Sequence, residues 1–257
     1  MVGVQTPSHR HLHLHGSSAV HRLAPETKLL GLFLFVLAVA LTPRMAVAAF
    51  VVDAVVLVGV ARVAKIPFGT ILTRLSVIVP FVSFALFLPF LSDGPATEVA
   101  GLTLSVDGLW AMWNTIAKAT LGATAGIIMV ATTPIPEILA GLSRLRLPAL
   151  FVSIIAFMFR YLDLVIDELT RMRRAMVARG HDARWLWQAR PIAASAGTLF
   201  VRTYERGERV HDAMLARGFT GDMPVIHQPN TNSTSWLLAV TPALIAGIAL
   251  VISVVVT

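Results

Sequence analysis

The side chains best suited to chemistry in this sequence are arginines, and they arrive in a repeated phrase. Arg171-Met-Arg-Arg-Ala-Met-Val-Ala-Arg-Gly180 recurs as Arg209-Val-His-Asp-Ala-Met-Leu-Ala-Arg-Gly218, and both copies end Ala-Met-apolar-Ala-Arg-Gly. A glycine closing a helical stretch supplies the left-handed residue of a helix C-cap, which would hold Arg179 and Arg217 at helix tips. Ala178 and Ala216, with Ala175 and Ala213 before them, keep the last turn thin, while Met176 and Met214 offer adaptable apolar surface. A guanidinium held there can fork onto the carboxylates or carbonyls of a partner. Arg171 and Arg209 open the two copies and support the same ends. A cation at one helix C-terminus needs no further explanation; two near-identical endings on successive helices point to a partner that presents two like grooves.

Other reactive types are sparse. There is no cysteine, which excludes disulfides, thiolate metal sites and a cysteine nucleophile. His9, His11, His13 and His15 alternate near the N-terminus and form a weak metal site at most, read chiefly as a tail. Asp53 and Lys118 fall inside apolar runs, where an unpaired charge is costly, so they are expected to face one another or to share a polar cluster with Asn114. Glu205 and Glu208 belong to a mixed-charge helical face in which Glu205 can pair with Arg209, not to a catalytic carboxylate pair. Trp185 and Trp187, beside Arg184 and Arg190, suit a membrane interface or a partner surface. The only lysines are Lys28, Lys65 and Lys118, and none belongs to the Gly-Lys-Ser/Thr of a phosphate-binding loop.

These groups must be positioned by elements that span a membrane. The chain has 257 residues, 56% of them hydrophobic and 14% charged, with a mean hydropathy of +0.76. An all-α polytopic membrane protein is therefore expected, with about five spans at residues 29–41, 45–61, 77–91, 109–132 and 236–256. The first and third are short and should recruit flanking residues such as 24–28 and 71–76. A two-stranded hairpin or cap is expected around residues 102–106. Of the 21 Lys and Arg, thirteen lie between residues 133 and 235, all arginine, and the net charge of +7 follows the positive-inside rule without invoking nucleic acid. The N-terminus is thus expected in the cytoplasm. The expected divisions are a His-rich tail (1–23), four spans (24–132), a cytoplasmic region of two long helices (133–235) and a last span (236–257). Within the third, the apolar stretch 150–164 is read as lying along or obliquely into the membrane, because Arg160, Asp163, Asp167 and Glu168 fall in or just after it.

The paired Ala-Arg-Gly endings, with His21-Arg-Leu-Ala-Pro-Glu-Thr-Lys28 ahead of the first span, resemble the transmembrane T component of energy-coupling factor transporters, the EcfT/CbiQ family, and most closely its cobalt-type branch. The resemblance covers nearly the whole chain. It implies a non-catalytic subunit of a prokaryotic plasma membrane, joining a substrate-binding membrane subunit to two ABC-type ATPase subunits. The tips Ala178-Arg179-Gly180 and Ala216-Arg217-Gly218 would seat in the two ATPases, which carry ATP and Mg, this chain binding no cofactor. Cobalt is the substrate the resemblance favours, with nickel or a vitamin as alternatives. A reading of another class is a membrane metalloenzyme using the histidines with Asp53 or Lys118.

Overall fold

The computed structural model describes residues 18, 20–92, 95–99, 102–180, 190–221 and 233–256. Among the described residues, ten α-helices and one hairpin follow in order: α1 (Pro25–Leu41), α2 (Val47–Val63), α3 (Phe68–Leu75), α4 (Val79–Ala85), α5 (Leu88–Leu91), β1 (Ala96–Val99), β2 (Leu102–Ser105), α6 (Val106–Thr132), α7 (Ile135–Arg144), α8 (Ala149–Ala178), α9 (Arg190–Leu215) and α10 (Ser233–Val256). The expected helical membrane fold is what forms, and the hairpin lies where the alternation around residues 102–106 put it, with Ala96 opposite Ser105 and Val99 opposite Leu102. The chain divides into two compact units, residues 1–145 with 228–257, and residues 146–227.

In the first unit, α1, α2, α3, α6 and α10 share a core rich in small residues: Ala38, Ala61, Ala64, Ala117, Ala125, Ala131, Ala243 and Ala246 pack with Phe35, Phe50 and Leu57. Small side chains let helices approach closely, which matters where lipid offers no hydrophobic drive to associate. α1 and α10 approach closely: a Cβ on Gly31 would lie only 2.3 Å from the Ala239 carbonyl oxygen. Many large apolar residues face outward: Phe33, Val55, Phe81, Phe84 and Ile248 are exposed, as lipid contact requires.

The third span recruits its flank as expected and runs from Phe68 to Leu91, but it is broken. A 3-10 turn at Ser76–Ile78 separates α3 from α4, and Pro80 and Pro89 interrupt the ladder. Hydroxyls take up backbone oxygens at the break, Ser76 Oγ donating to the Thr73 carbonyl and Ser83 Oγ to that of Pro80, at 2.6 and 2.8 Å. Pro242 inside α10 is handled likewise: it cannot donate to the Leu238 carbonyl, and Thr241 Oγ1 does so at 2.9 Å.

Among the described residues four helices are long and apolar enough to cross a membrane: Phe68–Leu91, Val106–Thr132, Ala149–Ala178 and Ser235–Val255. α1 and α2, with 17 residues each, are somewhat shorter. The stretch 150–164, expected to lie obliquely, is the first half of the unbroken 30-residue α8, whose length and composition suit a crossing.

Candidate functional site: two helix tips and the polar knots of the bundle

Each copy of the repeated phrase ends a helix in the way its glycine requires. Gly180 and Gly218 have φ of 79° and 80°, the left-handed region that glycine enters freely. At the second tip the Gly218 amide donates to the Leu215 carbonyl and the Phe219 amide to that of Met214, at 2.9 and 3.0 Å, the paired bonds of a Schellman cap. At the first, the Gly180 amide donates to Val177 at 2.9 Å. Ala178, Arg179, Gly180, Ala216, Arg217 and Gly218 are all exposed. Arg171 and Arg209 are each drawn back to a carboxylate of their own helix, Glu168 at 2.7 Å and Glu205 at 3.9 Å, the latter as the sequence spacing suggested.

The methionines of the phrase turn inward. Met176 Sδ lies 3.5 Å from Ser195 Oγ on α9, and Met214 lines a cavity with Phe157 of α8. The apolar residues left exposed beside the two arginines are Val177 and Leu215, at 58% and 52%. Sequence reasoning did not single them out, although their place after each methionine was the available signal.

Contacts between α8 and α9 run in opposite numerical order. Met176 meets Ser195, Glu168 bonds Arg202, and Phe157 and Tyr161 face Val210 and Met214. The helices are therefore antiparallel, and the tips project from opposite ends of the pair. Measured along α9 from Ser195 to Met214, at ~1.5 Å per residue, they stand about 30 Å apart.

In the first unit, polar residues tie helix ends. Lys28, 7% exposed, donates from Nζ to the Thr132 carbonyl, Thr133 Oγ1 and the His21 carbonyl, at 3.4, 3.1 and 3.3 Å. The α6 C-terminus thereby gains a cation for oxygens that have no helical amide. Glu26 Oε1 accepts from Arg144 at 2.7 Å, and a Cβ on Gly141 would come within 2.9 Å of the Glu26 amide nitrogen, so α7 sits flush on the start of α1. At the other end of α1, Arg44 pairs with Asp107 at 3.0 Å, joining the α1–α2 turn to the start of α6.

Asp53 and Lys118 make no hydrogen bond to each other. Lys118 Nζ donates to the Ala40 carbonyl at 2.7 Å, in the last turn of α1. Asp53 is buried with neither oxygen bonded, and the oxygen of Asn114 is likewise without a hydrogen bond. A free carbonyl at a helix end, within reach of a long lysine stem, suffices to hold the ammonium. Among the described residues no group of three or more His, Asp or Glu is placed to hold a metal ion. His9, His11, His13 and His15 lie outside the described residues, as do Arg184, Trp185 and Trp187.

Apolar helices with outward-facing large side chains, and a helix pair carrying two capped arginine tips, define a polytopic helical membrane protein. Comparison with known proteins agrees. The sequence model of the family described as "Cobalt transport protein", CbiQ, matches residues 16–228. The energy-coupling factor transporter transmembrane protein EcfT of Bacillus subtilis is 29% identical over 223 residues, covering 80% of this chain and 82% of that protein. The cobalt transport protein CbiQ of Rhodobacter capsulatus is 28% identical over 145 residues, 54% of this chain and 59% of that one. That of Salmonella typhimurium is 26% identical over 166 residues, 63% and 71% of the two chains. The chain belongs to the CbiQ family, the T components of energy-coupling factor transporters.

Proposed function

We propose that this chain is the non-catalytic coupling subunit of an importer, and that its two tips seat in grooves of two ATPase domains while its helical bundle holds a substrate-binding membrane subunit. The observation that carries the reading is the pair of equivalent, exposed, glycine-capped arginines at opposite ends of one antiparallel helix pair. A partner with two like grooves about 30 Å apart matches that spacing. Arg179 and Arg217 supply forked donors, and Val177 and Leu215 supply the apolar contact beside them. ATP and Mg belong to the partner ATPases, and their motion reaches this chain through the tips. The region 133–235 and the N-terminus lie on the cytoplasmic side, with α8 and α9 running along the membrane instead of crossing it so that both tips reach the ATPases, as the distribution of arginine supports. The cargo is a cobalt ion, a reading that rests on the names of the CbiQ relatives.

Replacing Arg179 and Arg217 together by Glu is the test. The expected outcome is loss of ATPase co-purification while the variant still inserts and remains monodisperse; ATPase retained at the wild-type level would overturn the reading.

A further inference from the structure

Glu168 occupies an unusual place in the α8–α9 pair. Its carboxylate is only 14% exposed and uses both oxygens, Oε2 for Arg171 of its own helix and Oε1 for Arg202 of the other. Arg171 thus fixes the direction in which Glu168 meets α9. On one side of this bridge, toward the first tip, the helices touch directly through Met176 and Ser195. On the other side, toward the second tip, they line a mainly apolar, half-open cavity of about 270 Å³, bounded by Phe157, Tyr161, Val165, Val210 and Met214 among others. Side chains in direct contact resist further approach, whereas a gap between helices leaves room for them to close.

We propose that the Glu168–Arg202 bridge is the fulcrum of the helix pair. The packed end keeps its contact while the cavity end opens or closes, and the bridge converts that movement into a change in tip separation. Glu168 and Arg202 are positioning residues, acting through the tips rather than touching a partner. For transport the proposal rests on the coupling reading; as a statement about helix geometry it stands alone.

The chain has no cysteine, so labels can be introduced without background. Spin labels at Arg174→Cys and Asp212→Cys, both exposed and one turn before the tips, report the separation in the full chain in lipid nanodiscs. The unsubstituted bridge should give one narrow distance distribution. Arg202→Ala should at least double its width, and Arg202→Lys, which keeps a cation in reach of Glu168, should largely restore it; a native width in Arg202→Ala would overturn the fulcrum. In the assembled transporter, Arg202→Ala should lower substrate imported per ATP hydrolysed several-fold with the ATPases still bound. A broadened distribution with an unchanged ratio would refute the link to transport, and failure of the ATPases to bind the wild-type chain would refute the coupling reading alone.

Discussion

Lys28 is the residue at which burial and compensation are most closely matched. A buried ammonium is tolerated because three oxygens receive it, two of them at the end of α6. Lys28→Met would keep the stem and remove the donor, leaving the Thr132 carbonyl and the Thr133 hydroxyl short of a partner. A loss of about 1–3 kcal/mol is expected, read as a lowered midpoint of thermal unfolding in detergent; an unchanged midpoint would mean that the knot contributes no stability. Asp53 is the contrasting case, buried with no hydrogen bond to either oxygen. Both tips were legible in the sequence because a glycine after a helical phrase specifies its own backbone. The partners of Lys118 and Lys28 were not, since spacing along a span gives depth but not which carbonyls fall free nearby. Glu26 and Arg144 are 118 positions apart, and their complementarity appears only once Pro134 and Pro136 fold α7 back onto α1.

At the scale of elements, the bundle rests on close helix approach more than on bulky interlock. α1 and α10 meet over Gly31, and no side chain fits where its Cβ would stand 2.3 Å from a backbone oxygen. Gly31→Leu must push the two helices apart or prevent their docking, at a cost of about 1–3 kcal/mol or more. Reduced yield of monodisperse protein and a lower unfolding midpoint are the expected signs; wild-type yield and midpoint would show that the crossing is looser than drawn. Helix existence and order followed directly from the apolar runs, and the recruited flanks of the first and third spans followed from their shortness. The long α8 followed too, but the partners of its charges did not: Arg160, Asp163, Asp167 and Glu168 suggested an interfacial helix, and Glu168 is met by Arg171 and Arg202 within the helix pair. That pairing was out of view in the sequence because Arg202 lies on the next helix.

At the scale of the whole molecule, the chain divides into a helical bundle and a second unit, the helix pair that carries the two exposed tips. The bundle's small-residue core and the pair's capped tips are built by different rules, close packing in one and glycine-set helix ends in the other. The sequence carried this division in its charge distribution, with the arginines gathered between residues 133 and 235. The structure draws the compact second unit at residues 146–227 and gives α7 to the bundle. The central claim is that the two tips dock equivalently on an ATPase pair. Its most direct test is cross-linking from single cysteines at Val177 or Leu215, one site at a time, in the assembled transporter. Both positions should cross-link to an ATPase subunit with similar yield, and both yields should change when ATP is added. Cross-linking from neither position, or from only one, would contradict the account.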